Sequence, residues 1–223
     1  MVVVGIETAS RVCGVALAGP DGWMAEYRIR GQSTHGETLA DAVSMLLGKT
    51  RIGIGQIDGV AVSIGPGSFT GLRIGLGFAK GFAFGRGLPL VAVPTMDGLA
   101  VLVPTVFQNL CILMPSKKGE VYQGLYRREP TGWILSGQLK TVAENQIGEG
   151  WPEEETVFIG EGAVQHAAAI QAKTPKAVFF PEVYSLPSGY GIARRGRDLL
   201  MAGQRSDIGS LVPQYLKRFQ GVE

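Results

Sequence analysis

The sequence predicts an α/β protein in two halves, and three observations carry that prediction. Three short apolar runs open the chain before any helical periodicity, strand-length runs then alternate with amphipathic stretches, and the opening theme returns near residue 109. At 223 residues, 45% apolar and 18% charged, the chain has material for two small cores and no signature of disorder. The expected halves are 1–104 and a smaller 105–223, with the terminal helix packing back on the first half.

In order, Val2–Ile6, Val12–Leu17 and Trp23–Arg28 read as strands of a meander, joined by Glu7-Thr8-Ala9-Ser10 and by the turn Gly19-Pro20-Asp21-Gly22. Thr34-x-x-Glu37 is a capping box that opens a helix with Leu39, Val43, Leu46 and Leu47 on one face, and Gly48 closes it. Val60–Ile64 is a buried strand, and a glycine loop leads from it into a long helix that runs to Phe84. Leu88–Val93 is a strand and Thr95–Leu102 a short helix. The second half repeats strand, turn, strand in Asn109–Met114, Pro115–Gly119 and Glu120–Arg127, with a third strand in Trp133–Leu139. Strand Val157–Ile159, loop Gly160–Gly162, helix Val164–Ile170 and helix Ser188–Ala202 follow.

The loop Gly65-Pro66-Gly67-Ser68-Phe69-Thr70-Gly71-Leu72-Arg73 carries the strongest chemical signal. Two glycines around a proline turn the chain sharply and leave N–H groups available, while Ser68 or Thr70 can cap the following helix. Such corners suit anions and nucleotides. The spacing nevertheless excludes the common phosphate loops: the glycines read G-x-G-x-x-x-G, no Lys-Ser or Lys-Thr pair follows, and Ser68 lacks the flanks of a nucleophile elbow. Gly67 is expected to hold a positive φ. The glycines farther along the helix, from Gly75 to Gly85, read as packing positions, since each costs the helix about 1 kcal/mol relative to alanine, while Gly71 reads either way, as packing or as a ligand contact.

Residues Gly65–Gly81 resemble the signature of the bacterial TsaB (YeaZ) proteins. So do the opening Gly5-Ile6-Glu7-Thr8-Ala9-Ser10, His35 ahead of Leu39, Gly119-Glu120-Val121-Tyr122, and Pro213-Gln214-Tyr215-Leu216-Lys217-Arg218, all in the family's order. The resemblance implies a two-lobed fold of the actin, Hsp70 and sugar-kinase (ASKHA, ribonuclease-H-like) type with a reduced second lobe. It further implies a non-catalytic subunit that binds and activates a TsaD-type transferase forming N6-threonylcarbamoyladenosine in tRNA, with a TsaE-type ATPase joining the assembly. The implied protein pairs with itself in isolation, meets tRNA only through the complex, has no cofactor of its own, and leaves any ATP or ADP to the assembled complex. Glu7, Thr8, Gly65, Gly67, Ser68 and Thr70 would then form a degenerate nucleotide loop, and His35, Leu39, Ala42, Met45 and Arg73 the partner interface.

Residue chemistry narrows the alternatives of a self-sufficient kinase, ATPase or M22-type glycopeptidase. Kinases and ATPases of this fold place an aspartate on each lobe's first hairpin. Here the first is Glu7 and the second falls on Pro115 or Ser116, so in-line phosphoryl transfer loses its metal ligands. His35 and His166 are the only histidines and make no paired motif, which argues against a metal site. Glu7 reads either as a ligand-facing acid or as a residue ordering its own turn, and His35 either as a polar helix start or as a partner contact. Cys13 and Cys111 sit singly in apolar runs and read as buried thiols. The net charge of +2 makes no case for nucleic acid. The small groups Lys117/Lys118, Arg127/Arg128, Arg194/Arg195/Arg197 and Lys217/Arg218 make only a weak one. With no apolar stretch near bilayer length and no signal-type start, a cytoplasmic protein is expected, without membrane contact. On the Thr34–Leu47 helix, Ala42 and Met45 lie off the core stripe and widen its apolar arc, which suits either a helix–helix contact or a fully buried pair of helices; the resemblance favours the contact.

Overall fold

The structure is a computed structural model that describes residues 1–31, 35–149, 151 and 153–216. Contacts divide the described chain into two units: Met1–Val103 with Leu186–Pro213, and Pro104–Ser185 with residues 214–216. Residues 105–223 therefore do not form one continuous lobe, because 186–213 belong with the first unit.

The first unit is built on a five-stranded sheet ordered β3-β2-β1-β4-β5, from β1 (Val3–Glu7), β2 (Val12–Ala18), β3 (Met24–Arg30), β4 (Gly59–Ser63) and β5 (Leu90–Val93). β1, β2 and β3 form the antiparallel meander, while β4 and β5 run parallel to β1. Every residue of β1, β2 and β4 is buried, as unbroken apolar runs require of strands covered on both faces. On one face lie α1 (His35–Thr50) and α2 (Phe69–Phe84), packed over Val4, Ile6, Val15, Leu17, Val60 and Val62. The other face takes α6 (Gly189–Met201) over Val3, Ala61, Val91 and Val93. α3 (Thr95–Ala100) meets α6, where Gly98 touches Ile192. Ser188 and Glu26 order the start of α6: Glu26 Oε1 accepts from Ser188 Oγ (2.8 Å) and from Tyr190 N (3.3 Å).

The segment after α6 straps the β5 edge. Ser206 N donates to Leu90 O (2.8 Å), Ala92 N donates to Ser206 Oγ (3.0 Å), and Ile208 and Leu211 pack on the core under α2.

The second unit repeats the first in topology. Its sheet runs β11-β10-β6-β7-β8, from β6 (Asn109–Pro115), β7 (Glu120–Glu129), β8 (Gly132–Leu135), β10 (Thr156–Ile159) and β11 (Ala177–Phe179), with β9 (Lys140–Ala143) also on β7. Again the first two strands are antiparallel and the last two run parallel to the first. The strand expected over Trp133–Leu139 stops at Leu135, because the chain leaves the edge through Gly137 at φ +87°, and β9 begins only at Lys140. The helix expected over Val164–Ile170 is likewise two, α4 (Glu161–Gln165) and α5 (Ala167–Lys173), interrupted where His166 adopts φ −109° and ψ 17°. Thr34 of the expected capping box, and Lys217 and Arg218, lie outside the described residues. Pro213–Leu216 form no helix or strand.

Candidate functional site

The expected loop residues converge in the first unit, around the turn that joins β1 to β2. Ser68 N donates to Ala9 O (2.6 Å), fastening the glycine loop to that turn, and Thr95 N donates to Gly65 O (2.8 Å). Ser68 is the cap of α2, its hydroxyl accepting from Gly71 N at 3.2 Å, whereas Thr70 is exposed on the first turn. The α1 side joins the same turn through His35 Nε2 and Ser10 O, 3.0 Å apart. Glu7, Thr8, Gly65, Gly67, Ser68 and His35 are thus brought together.

Gly65 and Gly67 do different work from that expected, whereas Gly75 is a packing position as read. Positive φ falls on Gly65 (+117°), ahead of a cis Pro66, and not on Gly67. Gly67 is required by close approach, since a β-carbon there would overlap the carbonyl oxygen and Cβ of Ala9. One helical turn on, a β-carbon at Gly71 would overlap Thr8 O, and at Gly75 it would overlap Thr8 Oγ1. Gly67, Gly71 and Gly75, spaced by four, are a groove into which the Thr8–Ala9 backbone fits.

Glu7 ends β1 with 0% exposure. Its Oε1 accepts from Ala9 N at 2.5 Å, while Oε2 has no hydrogen-bond partner. Burial pushes its carboxyl up to about 8, against the opposing hydrogen bonds of Ala9, Ser63 and Thr8, and the Glu26 charge adds to the rise. A carboxyl that is uncharged near neutrality and closed off from solvent does not fit a magnesium–nucleotide centre. In the second unit β6 reads Asn-Leu-Cys-Ile-Leu-Met-Pro and holds no acid at all, and its last residue, Pro115, is exposed. Among the described residues no group of three or more His, Cys, Asp or Glu side chains could share a metal ion. Cys13 and Cys111 are buried free thiols, and burial pushes Cys13 up to about 11.

The five expected interface residues separate. Leu39 (0% exposed) and Ala42 (2%) belong to the core beneath α1, because the apolar arc wraps farther round the helix toward the sheet than its a/d-like stripe suggests. Met45 is 41% exposed, and Arg73 is exposed with its guanidinium 4.1 Å over the Phe69 ring. His35 is partly buried, tied to the turn.

The solvent sides of α1 and α2 carry a pattern that reading for apolar stripes missed. Gly36, Ala40, Ser44 and Gly48 are exposed on α1 at four-residue spacing. Gly77 and Gly81 are exposed on α2, and a β-carbon at either would meet nothing within 4 Å. Phe84 beyond them is 80% exposed. The signal in the sequence is the four-residue recurrence of small residues on the side away from the core.

Several basic residues are engaged internally. Arg194 donates to Val101 O (3.0 Å), Arg197 to Met1 O (3.2 Å) and Arg128 to Thr105 O (3.1 Å), while Arg195 lies 3.8 Å from Asp97 and Lys117 3.6 Å from Glu120. No helix among the described residues is long and apolar enough to cross a membrane.

Comparison with known proteins places these features. Residues 30–190 match the family model of TsaD, tRNA N6-adenosine threonylcarbamoyltransferase. The chain is 26% identical over 226 residues to the tRNA threonylcarbamoyladenosine biosynthesis protein TsaB of Bacillus subtilis, covering 97% of this chain and 94% of that one. To its Escherichia coli counterpart it is 31% identical over 149 residues, or 66% of this chain and 64% of that one. The solved YeaZ of Pseudomonas aeruginosa superposes with a TM-score of 0.82 at 22% identity, over 96% of this chain and 99% of that one. An activator of 2-hydroxyisocaproyl-CoA dehydratase from Clostridium difficile, solved with ADPNP, superposes at 0.52 with 11% identity, over 91% and 97% of the two chains. The fold is therefore the actin-like ASKHA type.

Proposed function

The chain belongs to the TsaB (YeaZ) family, and from that premise we propose that it is the non-catalytic subunit that binds and activates a TsaD-type transferase in forming N6-threonylcarbamoyladenosine on tRNA. The observation that carries the reading is the open face of α1 and α2. Two helix-interior glycines, Gly77 and Gly81, cost the isolated helix about 1 kcal/mol each and relieve no clash within the chain. A second helix approaching closely is the physical reason to keep them, and exposed Phe84 and Met45 supply apolar area beside them.

Charge supports pairing of two copies through the same face. The outer side of α1 carries Glu37 and Asp41, and α2 carries Arg73 and Lys80. In a two-fold arrangement the acidic helix of one copy lies on the basic helix of the other. The homodimer and the complex with the TsaD-type subunit then compete for one surface. A TsaE-type ATPase joins the assembly, any ATP or ADP belongs to the assembled complex, and tRNA is reached through it in the cytoplasm.

A self-sufficient kinase or glycopeptidase is the weaker reading, because Glu7 is buried and β6 has no acid. Gel filtration and capture of the TsaD-type subunit by a Phe84→Glu variant test the proposal. A folded variant that still dimerises and still captures the partner would move the interface elsewhere.

A further inference from the structure

The two edges of the first sheet are finished differently. At β5 the segment after α6 closes the edge, with Ser206 bonded to both Leu90 and Ala92. At the other end β3 pairs with β2 alone, and among the described residues no strand lies on its outer side. Its seven residues therefore turn alternate backbone N–H and C=O groups to solvent, a template for one more strand. Such edges are commonly guarded by proline, a bulge or lysine. β3 reads Met-Ala-Glu-Tyr-Arg-Ile-Arg and pairs with β2 without a bulge, so it has none of these. Its side chains alternate. Glu26 reaches Ser188 and Tyr190, which puts Met24, Glu26, Arg28 and Arg30 on the α6 side; Ala25 and Tyr27 pack with the core under α1, and Ile29 shares their side.

That order is self-complementary. Let a second copy lie antiparallel to the first, about a two-fold axis at Tyr27. Glu26 of each copy then stands opposite Arg28 of the other, Ala25 opposite Ile29, Met24 opposite Arg30, and the two Tyr27 rings opposite each other. Opposite charges meet twice on the α6 side, and a small residue meets a large one on the α1 side. Moving the axis by one residue loses this, because two Glu26 or two Arg28 side chains would then face each other. Both charged groups are available: Arg28 has no ion-pair partner among the described residues, and the hydrogen bonds of Glu26 there engage only Oε1.

We propose that β3 is a self-pairing edge, on which a second copy of this chain adds its own β3 antiparallel across Tyr27 and joins two five-stranded sheets into one. The contact uses neither Gly77, Gly81 nor Phe84, so it is separate from the preceding functional reading and stands if that reading fails. One strand pair with its few side chains makes a small interface. Association is weak, and dilution on a gel-filtration column undoes it.

The test uses the full chain carrying Phe84→Glu, which closes the other proposed self-contact. Sedimentation equilibrium up to about 1 mM should show monomer passing to dimer. Adding Arg28→Glu sets carboxylates opposite each other twice and should weaken that association at least about tenfold. A chain that stays monomeric throughout, or an Arg28→Glu protein that associates as before, overturns the pairing. Cross-linking fixes the register without altering Glu26 or Arg28. Met24→Cys and Arg30→Cys, both at exposed positions, are mixed at the same concentration with oxidised glutathione, while Cys13 and Cys111 stay buried. The register requires a disulfide between the two variants in the mixture and far less in either variant alone. Equal cross-linking in the mixture and in the single variants overturns it. Capture of the TsaD-type subunit reads the other surface: if Phe84→Glu still captures it and the mixture still cross-links, the functional reading falls and the edge stands, whereas lost capture without cross-linking removes the edge alone.

Discussion

Glycines on the two sides of α2 should respond to alanine with opposite signs. At Gly77 and Gly81 a β-carbon meets nothing within 4 Å, so the double replacement only removes the backbone freedom that glycine adds to the unfolded chain. The gain is about 1 kcal/mol per site, or about 2 kcal/mol together. At roughly 2–4 °C per kcal/mol for a chain of this size, the melting temperature should rise by about 4–8 °C. At Gly71 the same methyl overlaps Thr8 O, a backbone atom in a turn pinned by Ser68 and Ser63, and presses on His35. Overpacking of that kind costs about 1–3 kcal/mol or more and outweighs the propensity gain, so Gly71→Ala should be less stable than the unaltered chain. Urea denaturation followed by circular dichroism measures both. The stabilised Gly77→Ala, Gly81→Ala protein should lose at least about tenfold in capture of the TsaD-type subunit, because two methyls hold the helices apart. A double variant that is more stable and binds as well as before would refute close helix approach on this face; one that is less stable would show that its solvent side has been misread.

Phe84→Glu should leave stability within about 0.5 kcal/mol, since the ring is 80% exposed, yet abolish dimerisation and partner capture in gel filtration and pull-down. Ala42→Glu should instead destabilise the chain by several kcal/mol, because position 42 is 2% exposed and the carboxylate would enter the core unpaired; an unchanged urea midpoint would contradict that placement. For Glu7 the folded carboxyl is raised from 4.5 to about 8, so the folded state holds the proton more tightly and stability must fall as pH rises across that window, then level off. The slope is about 1.4 kcal/mol per pH unit and should vanish in Glu7→Gln; parallel pH profiles of the two proteins would refute the assignment. The isolated chain should not turn over ATP, a kinase substrate or a glycopeptide, and turnover that disappears in Glu7→Gln would reverse the reading of the first hairpin.

Much of the fold was legible because its signals are local. Unbroken apolar runs such as Val60–Ser63 announce strands covered on both faces, and Ser68 before a helical run announces a cap. The repeat of the first half in the second was visible as a repeated strand, turn, strand theme, and the matching strand orders show its extent. What failed depended on partners distant in sequence. Gly67 and Gly65 look interchangeable in the loop, and only the approach of Ala9, more than fifty residues away in the chain, makes Gly67 a packing position while Gly65 carries the turn. Ala42 and Met45 both widen the apolar arc of α1, yet the sheet takes Ala42 and leaves Met45 in water. The place of α6 on the first sheet is a long-range event too, and the small residues Gly5, Gly14 and Gly189 that permit it resemble ordinary turn glycines when read one at a time.

The same turn explains how a nucleotide-binding architecture can serve as a scaffold. In kinases and ATPases of this fold the first hairpin must keep an acid charged and open to solvent, which limits how closely helices can pack over it. Here Thr8 and Ala9 are pressed into the glycine groove of α2, and Glu7 is buried on the other face of the sheet, beside Gly14 and the start of α6. That packing fixes α2 against the β1–β2 turn, so that the opposite side of the helix is presented to solvent. Gly71 and Gly75 face inward and Gly77 and Gly81 outward on one helix, so a single element is seated by one pair and left open by the other. Folding alone gives no reason for the second pair, since alanine at Gly77 and Gly81 would meet no atom of the chain. Glycines that weaken a helix without relieving any clash inside the chain point to a surface whose partner lies outside it.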